Sequence, residues 1–130
     1  MNRVQHHEAV ISLGSNVVEA EAMLREAIAR LRLIGSEIVV SQFYNTPDIS
    51  GSGKVYGNAV LSGVFGLDAV SLQSRCKDIE NSMGRRLSSS CVVIDIDIVV
   101  FDGEVIRPVD YGREYFTVGM DYIKAGRLLD

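Results

Sequence analysis

Residues 91–106 read CVVIDIDIVVFDGEVI, an apolar run broken by Asp95 and Asp97, then a turn and a second apolar fragment. Val92–Phe101 reads as a strand. Alternation puts Asp95 and Asp97 on one face, with Cα atoms roughly 6.5–7 Å apart, and Ile94, Ile96 and Ile98 on the other. The isoleucine face must pack under helices. The aspartate face also carries Val93 and Val99, so it is not simply a solvated surface. Asp102-Gly103 is a hairpin signal, which sends Glu104–Ile106 back beside the strand.

Upstream elements supply the missing layer. Val10–Leu13 suits a first strand, closed by Gly14-Ser15-Asn16. Apolar residues at 20, 24, 27, 28, 31 and 34 share one helical face between Val18 and Ile34. Ser15 or Asn16 is available to cap that helix and Gly35 to end it. Glu37–Tyr44 is rich in β-formers and predicts strand two. Asn45–Lys54, NTPDISGSGK, predicts an exposed, mobile loop. Val55–Phe65 predicts strand three, with Asn58 its odd polar residue. Asp68 caps a second helix, whose Leu72, Cys76, Ile79 and Met83 follow helical spacing and which Gly84 closes. Arg85 and Arg86 follow at once, and residues 87–90 form a short polar linker. The order βαββαβ plus a hairpin predicts an α+β, ferredoxin-like domain: an antiparallel sheet with both helices on one face. Residues 119–130 suit a short C-terminal helix.

The chain has 130 residues, 47% hydrophobic and 23% charged, which suits one domain over 1–130. No apolar run reaches a membrane span, and MNRVQHHEAV lacks a secretory hydrophobic region, so the expected address is cytoplasmic with no membrane partner. The net charge of −4 argues against a nucleic-acid partner. Cys76 and Cys91 lack metal-ligand spacing and read as buried free thiols. His6 and His7 read as surface residues near a terminus.

Two like charges as close as Asp95 and Asp97 repel, and partial burial raises the pKa of at least one. A hard divalent cation removes both problems, and magnesium takes one or two carboxylates, completing its octahedron with water and phosphate oxygens. Two such ions could bridge a phosphate chain. A solvated sheet face with no ligand stays open as the other reading. Gly14-Ser15-Asn16 reads as a turn with an N-cap or as an anion-binding nest. Asn58 reads as a structural amide or as a reader of a heterocycle edge. Glu80 and Lys77 belong on a solvated helix face.

Together, ISLGSN at 11–16, FYNTPD at 43–48, VYGNAV at 55–60, IENSMGRR at 79–86 and IDIDIVVFDGEVI at 94–106 resemble the 6-hydroxymethyl-7,8-dihydropterin pyrophosphokinase family. Their order and spacing carry the resemblance over about three quarters of the chain. It implies an ATP-dependent transferase of folate biosynthesis that moves pyrophosphate from ATP to the pterin alcohol. Asp95 and Asp97 would hold two magnesium ions. Thr46, Pro47, Tyr56, Asn58 and Phe116 would meet the pterin. Glu80, Arg85, Arg86, Ile98 and Tyr111 would lie on the nucleotide side, with Arg85 among the catalytic groups.

Departures accompany the match. LSSSCVV replaces a longer loop that in the family carries a tryptophan and basic residues; the chain has no Trp, and Val92 stands where an arginine is expected. Asp110 falls at an expected histidine, and an expected arginine falls on Glu114 or slips to Arg113. The resemblance thus implies a divergent, shortened member with a thinned cationic clamp. Two alternatives accompany it: a family member that binds pterin or nucleotide without efficient transfer, and a ferredoxin-like interaction module with no such chemistry.

Overall fold

The computed structural model describes residues 5–84, 86–88 and 91–129, the side chains of 86–88 excepted. In chain order the elements are β1 (His7–Ser15), α1 (Ala20–Arg32), β2 (Gly35–Val40), β3 (Tyr44–Pro47), β4 (Val55–Phe65) and α2 (Ala69–Ser82). There follow β5 (Arg86–Ser88), β6 (Cys91–Val92), β7 (Asp95–Phe101), β8 (Glu104–Val105), α3 (Pro108–Tyr111) and α4 (Glu114–Lys124). The main sheet runs β2-β4-β1-β7-β8, with β3 also on β4, and its pairings are antiparallel. A separate β5–β6 ribbon precedes the strand that bears the aspartates. Among the described residues no helix is long and apolar enough to cross a membrane.

Alternation and helical spacing meet on one face of this sheet. Ile11, Leu13, Leu61, Ile94, Ile96 and Ile98 bury against Leu24, Ala27, Ile28 and Leu31 of α1 and Leu72 and Cys76 of α2. Each large side chain so buried contributes roughly 1.5–3 kcal/mol relative to exposure. Asp68 caps α2, accepting from Ser71 N at 2.8 Å, and Gly84 past its end takes φ +81. Burial among these side chains pushes the Cys76 thiol up to about 12. Cys91, expected to be buried, is only partly so, because it lies in the short ribbon rather than under a helix.

The opposite face is not left open at its centre. Phe116 of α4 packs on Val60 and Val99, with Tyr115, Met120 and Ile123 at the margin. The expected C-terminal helix therefore exists, begins earlier than residue 119, and adds a layer on the side away from α1 and α2. A register shift between Val10 and Ile11 lets β7 carry one extra residue, so Val99 and Val100 both turn toward α4. At the hairpin tip Asp102 (φ 50) and Gly103 (φ 79) both adopt left-handed backbone, as a tight turn requires. Asp102 also accepts from His7 Nδ1 at 2.7 Å and Glu8 N at 2.9 Å, which ties the hairpin to β1.

Several boundaries differ from the expectation. The single strand over Glu37–Tyr44 divides into β2 and β3 at residues 41–43, where Val40 pairs with Leu61 and Tyr44 with Asn58, so the chain carries one more residue than β4, and the Ser41 hydroxyl takes the Val60 N–H at 3.0 Å. Asn45–Pro47, expected in a loop, pairs with Gly57–Val55 as β3. Neither Ser15 nor Asn16 caps α1. Asn16 instead accepts from Val92 N at 2.7 Å and donates its own N–H to Val92 O at 3.0 Å, joining β1 to β6. Gly35 starts β2 rather than closing α1, and a Cβ there would stand 2.6 Å from the Phe65 ring.

Gly119 sits inside α4, where alanine has the better helix propensity by about 1 kcal/mol. A Cβ there would lie 2.3 Å from Val60 Cγ2 and 2.6 Å from the Tyr44 hydroxyl. Gly119→Ala should therefore destabilise the domain by about 1–3 kcal/mol in urea denaturation. A gain in stability would mean that α4 does not seat this closely on the sheet.

Candidate active site

The same alternation that buries Ile11 and Leu13 turns Ser12 and Gly14 to the other face, where β1 runs between β4 and β7. Gly14 pairs with Asn58 on one side and Asp95 on the other, and Ser12 pairs with Asp97. Two interstrand spacings, about 10 Å, therefore separate the Asn58 backbone from that of Asp95. Over Gly14 opens a cleft of about 250 Å³. Thr46, Pro47, Ile49 and Tyr56 line one wall, and Asp95, Asp97, Arg107 and Asp110 the other, with Tyr115 contributed by α4.

Asn58 is 3% exposed, and its Nδ2 donates to Tyr44 O at 3.3 Å, Tyr56 O at 3.1 Å and Thr46 Oγ1 at 2.8 Å. Two of these partners are carbonyls, which only accept, so the amide nitrogen must face them. Asn58 Oδ1 is thereby turned toward Gly14, 3.6 Å from where a Cβ would stand. The floor of the cleft thus offers a fixed acceptor. The neighbouring loop is shaped by Asp48, which accepts from Ser50 N, Ser50 Oγ and Ser52 Oγ at 3.1, 2.9 and 2.7 Å. These bonds hold the Asp48 carboxyl below its ordinary range. The segment expected to be a mobile ten-residue loop is thus a strand followed by a short, internally bonded turn.

On the acidic wall, burial raises the Asp97 pKa; the Arg107 guanidinium opposes this, and Asp95 and Asp110 add to it. Arg107 Nη1 lies 3.9 Å from Asp97 Oδ1, while Nε donates to Asp110 Oδ2. The Tyr115 hydroxyl donates to the other Asp110 oxygen. Burial and this bond push the Tyr115 phenol above its ordinary value. Behind β7, Glu80 is 2% exposed and accepts from Ile96 N at 2.6 Å, fixing the strand between its two aspartates from the helix side.

The cleft brings together Asp95, Asp97, Thr46, Pro47, Tyr56 and Asn58. Of the other candidates, the four with described side chains lie outside it. Ile98 is 1% exposed on the helix side of β7, since alternation sets it opposite Asp97. Phe116 is 1% exposed in the α4–sheet core, and Tyr115, one residue earlier, is the aromatic that reaches the cleft. Tyr111 lies on α3 with its ring 5.7 Å from that of Phe116, outside the cleft lining. Glu80 occupies neither the solvated face nor the cleft, because its carboxylate is bonded to the β7 backbone. Arg85 lies outside the described residues, and Arg86 is described only as β5 backbone.

Tyr115, Arg107 and Ser12 were not foreseen as site residues, and Asp110 only as the occupant of a histidine position. The spacing of Phe116, Gly119, Met120 and Ile123 marks the buried stripe of α4 and could have set the helix phase. No comparable signal marks Arg107.

The fold and cleft define a small α+β domain that presents an amide and aromatics on one side of a cleft and a carboxylate pair on the other. The family model for 7,8-dihydro-6-hydroxymethylpterin-pyrophosphokinase matches residues 10–124, and the chain belongs to that family. A search of curated proteins finds no match.

The Asp97 carboxyl holds its proton more tightly folded than unfolded, so folding stability falls as pH rises from the ordinary carboxylate range through the raised value. Without divalent ions, Asp97→Asn should raise Tm at neutral pH, with the difference vanishing below the ordinary carboxylate range. A Tm difference independent of pH would contradict a strained charge at this position.

Proposed function

We propose that this chain is a pterin pyrophosphokinase, transferring diphosphate from ATP to 6-hydroxymethyl-7,8-dihydropterin in folate biosynthesis. The observation that carries the reading is the placement of Asn58 and Asp95 on either side of Gly14 in a cleft of a chain belonging to this family. In the same reading the antiparallel order β7-β1-β4-β2 is the ferredoxin-like arrangement.

Asn58 Oδ1 would accept from a pterin N–H, and Thr46 would orient the amide that does so. Tyr56 and Tyr115 would flank the ring, Tyr115 taking the part first given to Phe116. Asp95 and Asp97 suit hard cations: two carboxylates on one strand face, one of them raised in pKa, open to the cleft. Among the described residues no third carboxylate, His or Cys completes a cage, and magnesium draws its remaining ligands from water and phosphate. Two magnesium ions held there would neutralise charge along the phosphate chain. The alcohol oxygen would bond to the β-phosphorus as the bond to the α–β bridging oxygen breaks, releasing AMP and the hydroxyl proton. Holding the alcohol and phosphate in line is then the main contribution of the cleft.

A second reading, binding without efficient transfer, has one observation in its favour. Among the described lining residues Arg107 is the sole base, against Asp48, Asp95, Asp97 and Asp110. Calorimetry with magnesium, a non-hydrolysable ATP analogue and the pterin, alongside an AMP-release assay, separates the two. Turnover supports the first reading, binding of pterin without AMP supports the second, and binding of neither ligand removes both. Tyr115→Ala should weaken pterin binding with little loss of stability, whereas Phe116→Ala should cost about 3–5 kcal/mol of stability. The opposite pattern would return the ring-facing role to Phe116.

A further inference from the structure

Arg107 owes its position to two features of the backbone and one side-chain contact. The extra residue in β7 leaves Val99 O to accept from both Ile106 N at 2.9 Å and Arg107 N at 3.3 Å. Arg107 O then accepts from Tyr111 N at 3.0 Å, which closes the short helix α3. Asp110, one position before Tyr111, is brought onto the guanidinium, and its other oxygen is held by Tyr115. The result is a continuous line from Tyr115 through Asp110 and Arg107 to Asp97.

The two ends of the guanidinium are not equivalent. Nε is engaged by a charge-assisted hydrogen bond to Asp110, the less exposed carboxylate at 14%. Nη1 stands 3.9 Å from Asp97 Oδ1, beyond hydrogen-bond distance, and both side chains there retain solvent access at 48% and 35%. One contact is a tether and the other an exchangeable electrostatic contact. A divalent cation at Asp97 would repel the guanidinium from that carboxylate while its tether keeps it in the cleft. A phosphate oxygen brought in with the cation offers it a replacement partner, and guanidinium suits phosphate by geometry as well as charge.

We infer that Arg107 is a phosphate-contacting residue that serves as counter-ion to Asp97 in the ligand-free cleft, with Asp110 as its positioning residue. The inference rests on the pyrophosphokinase reading and adds to it a cation on the β8–α3 connection, apart from Arg85 and Arg86.

The test uses Arg107→Gln, Asp110→Asn and the double variant, with melting curves to establish folding. The full chain is titrated with the magnesium complex of a non-hydrolysable ATP analogue by calorimetry, and with Mn²⁺ alone by electron paramagnetic resonance. Arg107→Gln should weaken the nucleotide analogue about 10- to 100-fold. It should tighten Mn²⁺ alone about 3- to 10-fold, because the competing cation is gone. Asp110→Asn should weaken the nucleotide in the wild-type background and add nothing once Arg107 is Gln. Unchanged nucleotide affinity or unchanged Mn²⁺ affinity in Arg107→Gln overturns the role of Arg107. An undiminished Asp110→Asn effect in the double variant overturns the tether. A wild-type chain that binds no nucleotide removes the pyrophosphokinase reading and this inference together, an outcome distinct from the other two.

Discussion

The register of β1 against both of its neighbours is the constraint on which the rest depends. Bonded along both edges, β1 sets Gly14 beside Asn58 and Asp95, and Ser12 beside Asp97, while Ile11 and Leu13 enter the core under the helices. A slip by one residue would send every side chain of the strand to the wrong face. The core is what prevents the slip, because the alternation that orders the cleft also buries the apolar residues beneath it. Site and stability are thus two faces of one pairing pattern.

Charge in the cleft works against that stability. Asp97 is raised in pKa by burial and by Asp95 and Asp110, and Arg107 relieves only part of the strain. Such an arrangement costs stability, the usual trade between a stable fold and a charged cleft. Glu80 holds Ile96 from behind, so the two aspartates are presented from a strand fixed on its helix side. Asp110 plays a corresponding part for Arg107 and Tyr115 on the open side.

Much of this was legible in the chain. Alternation in β7 correctly separated Asp95 and Asp97 from the isoleucines, and β4 occupies the expected Val55–Phe65. Asp68, Gly84 and the Asp102-Gly103 turn act as their residue types suggest. Three misreadings share a cause: each concerned a residue whose decisive partner is distant in sequence. Asn16 has the chemistry of a cap, yet Val92 takes its carboxamide from 76 residues away. Glu80 has the look of a solvated helix residue, and only the β7 backbone 16 residues on explains its burial. Gly35 reads as a helix stop until the Phe65 ring is seen above it.

By itself the sequence determined the order of the two core helices and of the main strands β1, β4 and β7, the split of polar and apolar faces along those strands, and the motifs that point to a family, because these are periodic or local properties. Tertiary structure alone decided that α4 covers the second face, that Tyr115 rather than Phe116 reaches the cleft, and that Arg107 stands between Asp97 and Asp110. Those outcomes follow from the extra residue in β7, the phase of α4 and the close seating of Gly119 on Val60. The phase of α4 is written in its apolar spacing, but the other two depend on which surfaces meet, and no spacing along the chain encodes that.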